Sequence, residues 1–353
     1  MVFSGHTIRV LVVDDSAMAR DMIAAVLSSV PGISVIGTAA NGLEAVTRVT
    51  MLKPDLVTMD IEMPLLGGLE AIERIIAEHP VPILVVTARG GVHTAFTAVS
   101  KGALDVIEKP DIDPKNGQEL IKKVRLLAGV DMARHLAARA RRDTTAGGGA
   151  PARQRRPDGR VVAIAASTGG PQALQQILSR LGADFPAPIV VSQHIAEGFA
   201  QGMVDWLNGC TPLTVSVARN REQVRPGCVY VNPSEYAMAI TSQGQTMLGE
   251  QQAGTPYHPC CDILLRSAAE AYGEHGVGVI LSGMGDDGVE GMGAIRSAGG
   301  ATLAQDAKSS VVYGMNRLAV ERGYVDRVVA LADMASELAA LCGGHTGMGR
   351  AGR

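Results

Sequence analysis

Val161-Val-Ala-Ile-Ala-Ala-Ser167-Thr-Gly-Gly-Pro171-Gln-Ala-Leu174 is the stretch whose reading decides the fold. The unbroken apolar run from Val161 to Ala166 predicts a strand buried on both faces, as in a parallel sheet. Gly169 and Gly170 turn the chain, and Pro171 suits the first turn of a helix, where its missing N–H is no loss. A small hydroxyl residue thus stands at the end of a strand, beside a helix N-terminus that favours negative charge. Two readings are open: a tight turn and helix cap, or the seat of an acyl-transfer nucleophile.

Around this stretch the chain has 353 residues, enough for two domains with separate cores. Its hydrophobic fraction is 46% with 3% aromatics, so the core is aliphatic, and 42 glycines suit many tight strand–helix turns. A formal net charge of −3 gives no argument for nucleic-acid or membrane binding. No apolar run approaches the roughly 20 residues of a membrane span, and the N-terminus lacks the pattern of a signal peptide. Five cysteines without paired spacing suit a reducing compartment. A cytoplasmic protein is expected.

From Ile8 to about Lys109 the pattern alternates strand and helix. Ile8–Val13 runs into Asp14-Asp15-Ser16, and Pro54–Met59 into Asp60. Pro82–Val86 ends in Thr87, and Asp105–Glu108 in Lys109. Strand ends in an open parallel sheet converge on one crevice. A carboxylate pair, a carboxylate, a hydroxyl and an ammonium therefore meet at one edge. Adjacent carboxylates repel, so Asp14, Asp15 and Asp60 suit a Mg²⁺ ion. Asp60 can then attack a phosphoryl group whose oxygens Thr87 and Lys109 bind. These residues resemble the receiver domain of two-component response regulators, over the whole of residues 8 to 128. The sequence departs from that family at Gly67, where Asp is usual, and at Val106, where an aromatic switch residue is usual.

Residues 129–160 change character: eight arginines, three aspartates and a Gly-rich run predict a flexible linker. No aromatic residue interleaves the arginines, which argues against base stacking on nucleic acid.

The alternation resumes at Val161, whose strand and Ser167 resemble a nucleophile elbow with Ala165 in place of its first Gly. Pro188–Gln193 predicts a strand that delivers His194 to the edge holding Ser167. Gly278–Ser282 predicts another, opening into Gly283-Met284-Gly285-Asp286-Asp287-Gly288. Ser, His and Asp at three strand ends can act as nucleophile, general base and orienting carboxylate. Spacing alone does not choose between Asp286 and Asp287. His258-Pro-Cys260-Cys261-Asp262 carries metal-ligand types, but adjacent cysteines do not easily ligate one ion, so a loop bordering the site is expected.

Ala-Ser167-Thr-Gly-Gly-Pro, Gln193-His194, Gly-Met-Gly-Asp-Asp287-Gly, Ala304-Gln-Asp and Val312-Tyr-Gly-Met315 resemble the chemotaxis protein-glutamate methylesterases. With a receiver in front, the match runs from about residue 8 to 331. The resemblance implies a phosphorylation-regulated serine hydrolase that demethylates glutamyl esters on the cytoplasmic region of chemoreceptors, and with it deamidation of selected glutamines. It implies Ser167 as nucleophile, His194 as base and Asp287, in the motif's fixed place, as carboxylate. The Met284 N–H is the oxyanion donor expected. A histidine kinase would supply the phosphoryl group, Mg²⁺ would serve the receiver, and the esterase reaction would need no cofactor. Asn316 and Ala237 replace a proline and a histidine usual in the family. A receiver with a DNA-binding output is disfavoured by the βαβ periodicity, and a non-catalytic output by the complete Ser, His and Asp set.

The expected architecture is α/β throughout. An N-terminal (βα)5 receiver with a central parallel sheet occupies 1–128 and the linker 129–160. A doubly wound, mostly parallel methylesterase domain follows over 161–342, with a disordered tail at 343–353.

Overall fold

Ile8–Val13, Leu56–Met59, Ile83–Thr87 and Val161–Ala166 are predominantly apolar runs, and all four are largely buried strands in the computed structural model. That structure describes residues 7–88, 91–110, 114–140, 159–251 and 257–343. Most of the expected linker (141–158) and nearly all of the expected tail (344–353) lie outside the described residues. The chain divides into two units, residues 1–137 and 138–353.

In the first unit the order is β1 (Ile8–Val13), α1 (Ala17–Ser28), β2 (Ile33–Ala39), α2 (Gly42–Leu52), β3 (Leu56–Met59) and α3 (Gly68–Glu78). Then follow β4 (Ile83–Thr87), α4 (Val92–Lys101), β5 (Asp105–Glu108), α5 (Pro114–Leu127) and α6 (Met132–Ala140). The strands form one parallel sheet in the order β2-β1-β3-β4-β5. The chain reverses direction across the sheet between β1 and β3, and open α/β sheets bind ligands at such a switch point. Asp14 and Asp60 follow those two strands.

Short polar residues start the helices. Ser16 Oγ accepts from Ala19 N at 3.3 Å, opening α1. Asn41 Oδ1 accepts from Glu44 N at 3.0 Å while Glu44 reaches back to Ala40 N at 3.1 Å, a reciprocal cap on α2. Gly67 caps α3 without a side-chain bond. Its neighbour Gly68 is the glycine that geometry demands, because a Cβ there would lie 2.1 Å from the Asp60 carbonyl. α6 lies within the stretch 129–160 expected as a flexible linker: the chain breaks at 128–131, and helix then resumes over Met132–Ala140.

The second unit runs β6 (Val161–Ala166), α7 (Gly170–Leu178), β7 (Ile189–Gln193), α8 (Ala200–Asn208), β8 (Thr214–Val217) and β9 (Cys228–Val231). A hairpin of β10 (Ala237–Ile240) and β11 (Thr246–Gly249) precedes α9 (Cys261–Tyr272) and β12 (Gly276–Ile280). The chain closes with α10 (Val289–Ser297), β13 (Ala301–Gln305), α11 (Met315–Glu321), β14 (Arg327–Val329) and α12 (Leu331–Cys342). Seven strands make a sheet in the order β14-β13-β12-β6-β7-β9-β8, parallel at every pairing. The antiparallel hairpin lies outside it. Here the switch point is β6, flanked by β7 on one side and β12 on the other. Ala and Gly on the central strands let α9 and α10 pack closely over them: Ala163, Ala165, Leu264, Leu265, Met292 and Ile295 share one buried cluster. No helix among the described residues is long and apolar enough to cross a membrane.

Candidate phosphoacceptor and hydrolase sites

Each sheet presents reactive side chains at its switch point. In the first unit Asp14, Asp60 and Thr87 are buried and Asp15 is exposed. Lys109 Nζ lies 2.7 Å from both Asp14 Oδ2 and Asp60 Oδ2. The other oxygen of Asp14 accepts from Ser16 N at 2.9 Å, and that of Asp60 from Ile61 N at 2.8 Å. Burial raises the Asp14 carboxyl above its ordinary value despite the Lys109 ammonium, which lowers it. Burial works to lower Lys109, but the two carboxylates prevail and raise it. Thr87 is held in place where its carbonyl accepts from Lys109 N at 2.8 Å.

Asp14, Asp15 and Asp60 each offer a carboxylate oxygen within 4.8 Å of the others. Three carboxylates against one ammonium leave a local charge of −2, and the donors are hard oxygens. Such a set fits a divalent cation.

In the second unit β6 delivers Ser167, and Gly169 with φ +79° makes the turn into α7. A side chain at Gly169 would meet Val311 and Ser282, and one at Gly170 would overlap Gln193 Oε1 at 2.0 Å. The turn is therefore close-packed as well as sharply bent. β7 delivers His194, whose N–H donates to the Ala166 carbonyl at 3.0 Å and continues the parallel ladder. Gln193 Nε2 donates to the carbonyls of both Ser167 and His194, at 2.9 Å each. One amide side chain thus ties the Ser167 and His194 backbones together.

The loop after β12 supplies the carboxylate. His194 Nε2 lies 2.7 Å from Asp287 Oδ2. Asp287 also accepts from Cys261 N at 2.6 Å and Asp262 N at 2.9 Å, the first N–H groups of α9, and from Cys260 Sγ at 3.3 Å. Burial alone would raise the Asp287 carboxyl, yet the His194 bond and these N–H donors hold it below its ordinary value. Asp287 therefore contributes stability that is present above pH 3.8 and lost as pH falls through the lower folded value. Acid titration of thermal stability shows the difference: wild type loses stability below pH 4 more steeply than Asp287→Asn.

Asp286, which spacing alone did not separate from Asp287, turns elsewhere and accepts from Tyr257 OH at 3.2 Å. His194 turns Nε2 to its carboxylate, the reverse of the usage in chymotrypsin-type triads, and Nδ1 has no hydrogen-bond partner among the described residues. The Ser167 hydroxyl and the imidazole share no hydrogen bond. Such contacts tighten when substrate binds.

Ser167 N donates to the Ser282 carbonyl at 3.1 Å, which sets β6 against the loop after β12. In that loop Gly283 N donates to the Val312 carbonyl, and Met315 N to the Gly283 carbonyl. The Met284 N–H has no acceptor among the described residues, and its side chain is half-exposed. A Cβ at Gly283 would lie 2.6 Å from Ser167 Cβ and 2.3 Å from Met315 Sδ. Gly283→Ala is therefore expected to displace Ser167 and lower ester turnover by at least about tenfold, since small misplacements cost that much or more. Steady-state kinetics of the folded variant test it, and unchanged turnover would refute the close packing.

Sequence reasoning missed three contributors. Tyr257 stacks on the His194 ring, centroids 5.1 Å apart and planes 13° from parallel. Nothing in the sequence pairs it with a residue 63 positions earlier. The Cys260-Cys261-Asp262 segment was expected to border the site; its backbone N–H groups anchor the carboxylate, a role that side-chain types conceal. Asn316 donates to the Gln305 carbonyl at 2.9 Å and to Ser310 Oγ at 2.8 Å. It thereby has a structural use that the proline usual in the family could not serve.

A parallel sheet with a phosphoacceptor-type acidic crevice, followed by a doubly wound domain with a hydroxyl–imidazole–carboxylate set, defines a receiver-coupled hydrolase. Comparison with known proteins makes this specific. Residues 10–125 match the response regulator receiver domain, and residues 162–338 match the CheB methylesterase family. The protein-glutamate methylesterase/protein-glutamine glutaminase 3 of Paramagnetospirillum magneticum is 44% identical, the alignment covering 96% of this chain and 98% of that protein. The corresponding protein 2 of Anaeromyxobacter dehalogenans is 46% identical, over 91% of this chain and 93% of its own. The crystal structure of the Thermotoga maritima CheB methylesterase catalytic domain superposes with a TM-score of 0.50 at 36% identity, covering 51% of this chain and 97% of that one. The chain belongs to the CheB methylesterase family, with an N-terminal receiver domain.

Proposed function

We propose that this protein hydrolyses glutamyl methyl esters on the cytoplasmic region of chemoreceptors, and by the same chemistry deamidates glutamines there, so that it acts in chemotactic adaptation. The observation that carries this reading is the placement of Ser167, His194 and Asp287 at the ends of β6, β7 and β12, one switch point, in a chain of this family.

Ser167 Oγ attacks the ester carbonyl carbon as its proton passes to His194 Nδ1. Asp287, bonded to Nε2, orients the ring and stabilises the imidazolium. The oxyanion of the tetrahedral intermediate takes the Met284 N–H, a donor worth about 3–4 kcal/mol in other hydrolases. Collapse expels methoxide, which leaves as methanol with the proton from His194. Water, deprotonated by the same imidazole, then attacks the acyl-serine and releases glutamate and Ser167. For a glutamine the leaving group is ammonia.

Asp60 is the phosphoacceptor, with Thr87 and Lys109 binding the phosphoryl oxygens and a cytoplasmic histidine kinase as donor. Asp14, Asp15 and Asp60 would hold Mg²⁺, which when bound neutralises charge on the transferring phosphoryl group. Methanol release from methylated receptor membranes tests both halves. A small-molecule phosphodonor with Mg²⁺ is expected to raise the wild-type rate, and Asp60→Ala to remove that increase while keeping basal turnover. Activation that survives Asp60→Ala would place the acceptor elsewhere, and absence of methanol release would overturn the esterase reading.

A further inference from the structure

The hydrolase site contains one buried thiol that the proposed reaction does not use, and it completes a donor set with two residues that the reaction does use. Cys261 Sγ is fully buried and lies 3.4 Å from His194 Nε2, the nitrogen already facing Asp287. One ligand atom each from His194, Cys261 and Asp287 lies within 4.8 Å of the other two. Thiolate, imidazole and carboxylate are the donor types that hold tetrahedral Zn²⁺, three from protein and one position open. The aspartates of the receiver offer hard oxygen alone, so the two clusters call for different cations.

The spacing suits the size of the ion. Bonds of about 2.0–2.3 Å at tetrahedral angles set ligand atoms about 3.4–3.6 Å apart. Nε2 and Sγ already stand at that separation. Nε2 and Asp287 Oδ2, at 2.7 Å, must open by about 0.7 Å, a change that rotation of the His194 ring can supply. A cleft of about 520 Å³, lined by Tyr257, Cys260, Asp286 and Asp287 among others, reaches one member of the set, Asp287. Five carboxylates and two guanidiniums line it, which favours entry of a cation.

We propose that His194, Cys261 and Asp287 form an inhibitory site for a thiophilic divalent cation such as Zn²⁺ or Cd²⁺. Binding exchanges the Cys261 thiol proton for the metal: one S–H bond breaks, one S–metal bond forms and a proton leaves to solvent. The metal takes Nε2, so the neutral imidazole carries its remaining proton on Nδ1. Nδ1 is the atom that has to accept the Ser167 proton, and it becomes a donor. Hydrolysis stops because the base has been turned round, while Ser167 itself is untouched.

The inhibition rests on the methylesterase reading; the binding does not, and the experiment separates them. Full-length protein titrated with Cd²⁺ is expected to develop an ultraviolet sulfur-to-cadmium charge-transfer band at one equivalent. Cadmium NMR of the wild type should report one sulfur with nitrogen and oxygen ligands. Cys261→Val is expected to lose the band, whereas Cys260→Ser keeps it. In methanol-release assays, each variant compared with its own metal-free rate, Zn²⁺ should inhibit wild type at least about 100-fold more tightly than Cys261→Val. Even groups behind a metal ligand contribute about 10–100-fold to affinity. No band, an all-oxygen cadmium signal, or a band that persists in Cys261→Val would overturn the site. Binding with equal Zn²⁺ inhibition of both proteins would overturn its link to the catalytic base. Should Cys261→Val not fold, the wild-type cadmium spectrum decides alone.

Discussion

Ser167→Ala is expected to lower methanol release by about 10⁵–10⁶-fold, the scale seen when the nucleophile of a serine hydrolase is removed. The structure argues that this loss is chemical and not structural. Ser167 is anchored through its backbone: its N–H donates to the Ser282 carbonyl, and its carbonyl accepts from Gly170 N and Gln193 Nε2. Alanine keeps all three bonds. The hydroxyl is nearly buried at 6% exposure and makes no hydrogen bond to a described residue, so its removal leaves no orphaned partner. Thermal stability should therefore stay within about 1 kcal/mol of wild type. A folded Ser167→Ala protein with near-normal turnover would show that another group performs the attack.

Asp287→Asn is expected to cost about 10⁴-fold in kcat, because an amide in that place favours the wrong imidazole tautomer. Here the wrong tautomer has a definite meaning. With Nε2 no longer held as the donor, Nδ1 can carry the proton and cannot accept from Ser167. Asp286→Asn, one residue away, is expected to change turnover by about tenfold at most. Its carboxylate reaches the chemistry only through one bond to Tyr257, which stacks on His194. Steady-state kinetics of the two asparagine variants give the ranking directly. If Asp286→Asn proved the more damaging, the carboxylate role would pass to that residue, and the 2.7 Å His194–Asp287 contact would have to be read as a resting arrangement.

The two domains use one rule twice. In each, the strands on either side of the reversal of strand order lead into the candidate residues: Asp14 and Asp60 after β1 and β3, and Ser167 after β6 with Asp287 in the loop after β12, His194 following the neighbouring β7. Parallel strands all end on the same edge, and their helices diverge where the order reverses. A crevice with free helix N-termini results without further design. Asp287 draws on a second such terminus, the start of α9.

The sequence by itself determined the α/β architecture, the family and with it the class of reaction. Apolar runs such as Val10–Val13 and Val161–Ala166 are legible because a strand buried on both faces draws mostly apolar side chains. Asp14, Asp60, Ser167 and His194 each follow a strand directly, so their place at the sheet edge comes with the strand. Motif resemblance named Asp287, which spacing alone could not distinguish from Asp286. Tertiary structure decided what depends on atoms brought together across long stretches of chain. It set Nε2 of His194 on Asp287, placed Tyr257 over the ring, and made Cys261 supply an N–H to the carboxylate and a thiol beside the imidazole. Strand and helix periodicity report only which face a residue occupies. Which atom meets which is set by side-chain rotamers and loop paths in the packed interior, and those arise only when the whole domain closes.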